Sequence, residues 1–376
     1  MKILHTGDLH LDSAFCSDDA KNSDLRREEQ RALLRRVFAC AKEEACDLIL
    51  VAGDLFDSRY VTPETAALTE SLLRESSCPV VLAPGNHDPY AEGGFYHSYQ
   101  KKTMPEHVYL FTSNELQCFE IEELHTRVFG YAFTSAFLST SPLGGATLPE
   151  KDGWTHLFCA HADLTSPISR TAPVTEGDLI RAGFDYAALG HIHRPPAIDS
   201  ERIRYCGFAE GRSFDELGEG GVLIVTLEEG KEPVAERKIL SQKCYAIEEL
   251  DVSTCADEAA MRSAIERTVQ NAANRGVTHL RLYLVGDADP EILSNVLGET
   301  NQEEGLALCE LHNLTVPLAD GGFLKNDMTI RGAFYRALYP KLTDDDPAVR
   351  RRAAKALRIG LCAIDGRAIP TEEGRE

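Results

Sequence analysis

The chain predicts a layered α/β fold followed by a small α+β domain and a helical tail. Three observations carry this expectation. Five short apolar runs, rich in β-branched residues, each end in a cluster of Gly, Asp, Asn or His: KILHTGDLH (2–10), DLILVAGDLFD (47–57), PVVLAPGNHD (79–88), THLFCAHAD (155–163) and DYAALGHIH (185–193). Helical patterns lie between these runs, and near residue 240 the pattern resets. Continuous apolar runs of this length read as buried strands. Strands alternating with helices build a sheet whose ligands gather beyond the carboxyl ends.

The elements follow in order. A first helix is expected over Leu25–Glu44, capped by Ser23 or Asp24. A second runs from Thr62 to Glu75, with a capping threonine and proline at the first helical position. RIRYCGF (202–208) and GGVLIVTLEEG (220–230) read as strands closing a first domain over 1–240. A second domain over 241–318 opens with the strand CYAIEELDV (244–252). Ser253 and Thr254 can cap a helix through Asn274, with Ala260, Met261, Ile265 and Val269 on one face and Gly276 as its stop. THLRLYLVG (278–286) alternates as a half-buried strand should. A short helix from Pro290 and a strand over 308–316 complete this domain.

Residues 319–376 read as two helices. Ile330, Phe334 and Leu338 recur at i+4 in one; Asp344-Asp345-Asp346-Pro347 starts the other. Val349, Ala353, Leu357 and Leu361 form the second helix's apolar stripe, opposite Arg350, Arg351, Arg352, Lys355 and Arg358. Such a basic face is usually solvated.

Composition narrows the classes. With 39 basic against 60 acidic residues the formal charge is −21, which argues against broad non-specific affinity for nucleic acid or anionic membrane. A local basic face, or positive charge supplied by metal ions, stays compatible with it. The 11 cysteines are scattered and contain no CxxC, as in a reduced intracellular chain. No stretch approaches a membrane span, and MKILHTGDLH lacks a signal-peptide layout. A cytoplasmic protein is expected.

The polar clusters say little one at a time. Asp8 and His10 share a side of a strand end, as any polar loop start could. Gly53-Asp54 is a common turn. His191 and His193 have metal-ligand spacing, which hydrogen-bonded structural histidines also show. His161 alone reads as a satisfied histidine near the core. Their conjunction is different: DxH, GDxxD, GNHD, a strand-ending His and GHxH occur in that order, each after a strand run. This order and content resemble the calcineurin-like metallophosphoesterases over residues 1–195.

The chemistry of that family explains the residue types. A phosphodiester is anionic and resists hydroxide, so its site needs positive charge and a deprotonated water; two divalent ions about 3.5–4 Å apart supply both. Carboxylates with neutral imidazoles suit Mn2+, Fe or Zn2+ better than Mg2+ alone. The resemblance implies a core of two β-sheets flanked by helices. It makes Asp8, His10 and His193 ligands of one ion, Asp54 a bridge, and Asn86, His161 and His191 ligands of the other, with a bridging hydroxide attacking phosphorus in line. It also implies that His87 assists the leaving group and that Asp57 orients His87. In GNHDP, Gly85 lets the chain turn and Asp88-Pro89 holds the turn.

The stretches HTGDLHLDSAF, GNHDP, GHIHRP and GFAEGRSFDELGEGGVLIVTL are similar to the bacterial DNA-repair exonuclease group that contains the SbcD nuclease subunit, in its YhaO-like branch. This implies a Mn2+-dependent nuclease whose second domain caps the site and selects DNA. It further implies a coiled-coil ABC-type ATPase subunit docked on the C-terminal helices, and a homodimer. With so acidic a chain, DNA contacts must be local: Arg59, Tyr60, Arg194, Arg212 and the loop 90–102 lie near the motifs, although Phe95, Tyr96 and Tyr99 could equally pack that loop. Two other readings stand beside the nuclease. One is a metallophosphoesterase acting on a small phosphodiester or a phosphoprotein, although GNHD and GDLFDSR depart from the protein-phosphatase pattern. The other is a docking subunit that keeps only the fold.

Overall fold

The computed structural model describes residues 1–13, 20–102, 104–144, 148–198, 200–288, 290–298, 306–317 and 321–364. Two compact units divide the chain, Met1–Lys243 and Cys244–Glu376.

The first unit runs β1 (Lys2–Thr6), α1 (Ala20–Glu43), β2 (Leu48–Val51), α2 (Pro63–Glu75), β3 (Val80–Leu82), α3 (Phe95–Lys101), β4 (Val108–Leu110), β5 (Gln117–Ile121), β6 (Thr126–Gly130), β7 (Thr155–His161), α4 (Glu176–Ala182), β8 (Tyr186–Gly190), β9 (Ile203–Tyr205) and β10 (Gly218–Thr226). β11 (Val234–Asp251) then carries the chain into the second unit.

Two mixed sheets form this unit, as expected. In one, β1 to β4 are parallel neighbours and β10 joins β1 antiparallel. In the other, β6 to β9 are parallel and β5 pairs antiparallel with β6. The apolar runs are continuous because both faces of each sheet are covered. Successive residues divide between two cores. Leu48 and Leu50 meet Val128, Leu157 and Tyr186 between the sheets. Ile49 and Val51 turn the other way, onto Leu33, Leu34 and Val37 of α1 and Leu73 of α2. Across the second sheet, Phe158 and Ala160 face Leu179 of α4 and Phe184. Each such fully buried Leu or Phe contributes about 1.5–3 kcal/mol, so the strand ends are held by a rigid double layer.

α2 starts as expected: Thr62 Oγ1 accepts from Thr65 N, and Pro63 occupies the first turn. α1 starts earlier than expected. It already runs at Ala20, which puts Ser23 and Asp24 inside the helix, where Asp24 pairs with Arg27 at 3.1 Å. The stretch 90–102 contains α3, and Phe95, Tyr96 and Tyr99 are all buried. Phe95 stacks on Tyr99 with centroids 5.6 Å apart and also meets Phe56. These rings pack the fold and are not presented for stacking on a strand of nucleic acid. Strands β4 to β6 and helix α4 have sequences too short or too polar to announce themselves.

In the second unit follow α5 (Glu258–Asn274), β12 (His279–Val285), β13 (Asp287–Ala288), α6 (Pro290–Gly298), β14 (Leu308–Asn313), β15 (Val316–Pro317), α7 (Gly321–Asn326), α8 (Ile330–Leu342) and α9 (Pro347–Ile364). The end of β11, β12 and β14 pair in parallel under Met261, Ile265 and Val269 of α5. The cap of α5 is Asp257, whose carboxylate accepts from Ala260 N at 2.8 Å. Ser253 sits instead in a turn, donating its N–H to the Asp251 carboxylate at 2.9 Å. The α9 stripe packs within the unit, Leu357 and Leu361 meeting Leu324 and Tyr335. Arg352 and Lys355 are exposed, while the side chains of Arg351 and Arg358 lie outside the described residues. Among the described residues no helix is long and apolar enough to cross a membrane.

Candidate metal centre

All five polar clusters converge at the carboxyl ends of the parallel strands, where loops leave the sheets. Asp8 and His10 follow β1, Asp54 and Asp57 follow β2, and Asn86 and His87 follow β3. From the other sheet come His161, the last residue of β7, and His191 and His193 after β8. Donor atoms of Asp8, His10 and His193 lie within 4.8 Å of one another, as do those of Asp8, Asp54 and His161. A third set of the same tightness joins His10, Asp54 and His87.

Packing them this closely requires unusual backbone. Asp8 (φ 51°), His10 (φ 46°), Asp54 (φ 47°) and His191 (φ 102°) all have positive φ, which few non-glycine residues adopt. Main-chain bonds hold the strand ends in place: Asp8 N donates to Gly53 O and His10 N to Asp54 O, each at 3.0 Å. The Asp8 carboxylate accepts from His191 N at 2.9 Å, joining the two sheets through the site. Gly53 itself has φ +90°, and a Cβ there would overlap the His161 ring. Gly85 is small for a related reason. Its backbone is not left-handed, so the turn does not need it; a Cβ would collide with Asp54 Oδ1. Asp88 holds the turn, accepting from Gly85 N (2.7 Å), Phe56 N (3.1 Å) and Tyr96 Oη (2.8 Å). Burial, then the Asp54 charge, pushes its carboxyl up to about 7.

The hydrogen bonds behind three of the histidines fix which ring nitrogen carries the proton. His161 Nδ1 lies 3.1 Å from Ala52 O, and a carbonyl can only accept. His10 Nδ1 faces the Asp57 carboxylate at 2.9 Å, and His193 Nδ1 faces Glu216 Oε1 at 2.6 Å. The Nε2 atoms of the neutral rings are therefore bare, and they point at other lone pairs. His10 Nε2 and His193 Nε2 are 3.2 Å apart. His161 Nε2 lies 2.9 Å from Asn86 Oδ1 and 3.2 Å from Asp54 Oδ2. Asp54 Oδ2 is also 3.7 Å from His10 Nε2, so this carboxylate stands between the two groups. Acceptors converging in this way need positive charge among them, and oxygen plus imidazole donors suit Mn2+, Fe or Zn2+. The donor set fits two divalent cations.

Without metal, protons fill that need. Burial alone lowers the pKa of His161, but the Asp54 charge and hydrogen bond outweigh it and raise it to about 9. His193 is likewise opposed by burial yet raised to about 10 by Asp8 and Glu216. His191 falls to about 4, through burial and the neighbouring His161. A raised folded pKa gives stability that is full below the unfolded value of 6.5 and is lost as pH rises through the folded one. The metal-free chain is therefore expected to lose stability from pH 6.5 up to about 10, as His161 and then His193 lose their protons. Asp88 acts in the same direction up to about 7. Saturating Mn2+ should flatten this slope, since it binds the neutral rings. Urea denaturation at several pH values, in chelator and in Mn2+, checks both statements; a slope unaffected by Mn2+ contradicts them.

The remaining expected residues divide. Asp57 Oδ1 is hydrogen-bonded to His10 and stands 3.6 Å from His87 Nδ1; what His87 Nδ1 approaches more closely is the Asp57 main-chain oxygen, at 3.3 Å. Arg212 reaches the site, with Nη2 2.7 Å from Glu216 Oε1 and Nη1 3.6 Å from Asp57 Oδ1. Arg59 and Tyr60 are exposed and bonded to each other at 2.7 Å, and Arg194 is exposed beside His193. Glu216 and Thr171 were not foreseen. Glu216 sits in RSFDELG as one of 60 acidic residues, and only its 4% exposure sets it apart. Thr171 Oγ1 lies 2.9 Å from His191 Nε2, brought there by a loop with no sequence signal.

The chain is similar in sequence to known phosphoesterases. The family model described as calcineurin-like phosphoesterase matches residues 1–195. The uncharacterized metallophosphoesterase YhaO of Bacillus subtilis (strain 168) is 26% identical over 319 residues, covering 80% of this chain and 76% of that protein. A solved dimetal phosphatase from Danio rerio is 11% identical, covers 63% of this chain and 98% of its own, and has a TM-score of 0.38.

Proposed function

The chain belongs to the calcineurin-like phosphoesterase family, a metal-dependent phosphoesterase with two adjacent cation positions, and from that premise we propose that it is a phosphodiesterase acting on DNA. The observation that carries the reading is the pair of lone-pair clusters sharing Asp54, with His87 at their edge. Two bound divalent cations, Mn2+ in the first place, would supply Lewis-acid charge and make a water acidic enough to attack phosphorus at neutral pH.

The chain's own residues do the rest. Asp8, His10 and His193 would hold one cation and Asn86, His161 and His191 the other, with Asp54 available to both. His87 N donates to Asp54 Oδ1 at 3.0 Å, which ties the backbone of the acid–base residue to the shared carboxylate. The His87 side chain is 46% exposed, unlike the buried His10 and His161, so it alone among them can meet a substrate. Its Nδ1 donates to Asp57 O, so in the imidazolium form Nε2 carries the second proton and can pass it to the leaving oxygen, returning the ring to neutral.

The choice of DNA is supported by GNHDP, GHIHRP and GFAEGRSFDELGEGGVLIVTL, and by a second unit of the kind that follows the phosphoesterase domain in bacterial repair exonucleases. Arg59, Tyr60 and Arg194 are the exposed residues assigned to the strand. The tail helices are assigned to a coiled-coil ATPase subunit, and a homodimer to the assembly. Mn2+-supported degradation of linear DNA is expected, abolished by chelation. Rapid turnover of a small bis-ester with no attack on DNA would replace this reading with a small-substrate phosphodiesterase.

A further inference from the structure

The groups standing behind the histidines differ between the two cation positions. Behind His10 and His193 stand carboxylates, Asp57 and Glu216. Behind His161 stands a carbonyl, Ala52 O, and behind His191 a hydroxyl, Thr171 Oγ1. Glu216 is 4% exposed and held on three sides. Its Oε1 takes His193 Nδ1 at 2.6 Å and Arg212 Nη2 at 2.7 Å, while Oε2 takes Arg212 N at 2.8 Å. The same guanidinium stands 3.6 Å from Asp57, so one cation links both supporting carboxylates.

We propose that Glu216, clamped by Arg212, is a positioning residue that orients His193 and makes the two cation positions unequal. An anionic acceptor behind an imidazole fixes the ring's direction and raises the basicity of the opposite nitrogen; a carbonyl or hydroxyl does so more weakly. The buried ion pair with Arg212 keeps Glu216 charged away from water, where an unpaired carboxylate would be driven to protonate. Arg212 then serves the ligands from behind and is not primarily a DNA contact. The inference rests on the metal-centre reading given above.

Calorimetric titration of the full-length, chelator-stripped chain with Mn2+ tests it. Wild type should bind two ions. E216Q, nearly isosteric, should weaken one of them by about 10–100-fold, the usual cost of losing such a partner, and leave the other unchanged. T171V should weaken the other ion instead. R212M, which leaves Glu216 in place unclamped, should weaken the same ion as E216Q, and serves if E216Q does not fold. If E216Q weakens both ions alike and lowers the melting temperature of the stripped chain, Glu216 is merely structural and the proposal fails. It also fails if E216Q binds both ions as wild type does. A wild type that binds no Mn2+ overturns the metal-centre reading and this inference together.

Discussion

Asp54→Asn should lower Mn2+-dependent phosphodiester hydrolysis on the order of a thousandfold or more, because several kcal/mol of transition-state charge stabilisation depend on both cations. Asp54 is 2% exposed and its Oδ2 lies 3.2 Å from His161 Nε2 and 3.7 Å from His10 Nε2, which places this carboxylate between the groups. Asparagine keeps the shape and one acceptor oxygen, but removes the charge and the second donor oxygen. Burial pushes the Asp54 carboxyl up, but the His161 charge and hydrogen bond and the His10 charge outweigh it and hold it below its usual range, so the wild-type residue is ionised at any working pH. Metal content by mass spectrometry should fall from two ions per chain, while circular dichroism stays native. A variant with two ions and a near-normal rate would remove Asp54 from the centre of the mechanism.

His87→Ala should lower kcat by about 10^2–10^4-fold, the range for losing a positioned general acid. The substrate dependence makes this specific. An ester with a nitrophenol leaving group needs little protonation and should lose far less than DNA, whose leaving alkoxide needs a proton. Metal content discriminates further, because His87 also groups with His10 and Asp54 within 4.8 Å. Loss of an ion in the variant would make His87 a ligand and not an acid. Equal losses on both substrates would deny it the proton-transfer role.

Much of this centre was legible because it lies where apolar runs stop. Strand ends are marked twice, by β-branched residues before and by Gly, Asp or His after, so residues 185 apart in sequence could be assigned to one place. Asp8 and His193 do share a donor group in space. What stayed hidden is held by less local signals. Glu216 lies on a loop whose placement depends on β10 pairing with β1, and nothing in RSFDELG distinguishes it from a surface acid. The Asp57 carboxylate turns to His10 more closely than to His87, a difference of side-chain rotation that spacing does not encode. Asp257 displaced Ser253 and Thr254 as a cap because three capping residue types occur within five positions and tertiary packing chooses among them.

The left-handed backbone at Asp8, His10, Asp54 and His191 has an energetic consequence. Each such residue costs about 1–2 kcal/mol relative to ordinary backbone, a cost glycine would not incur. Exchanging one of them for glycine would relieve its backbone strain but remove the side chain that the site is built from. Four positive-φ residues at one end of two sheets concentrate this backbone cost at the candidate metal centre.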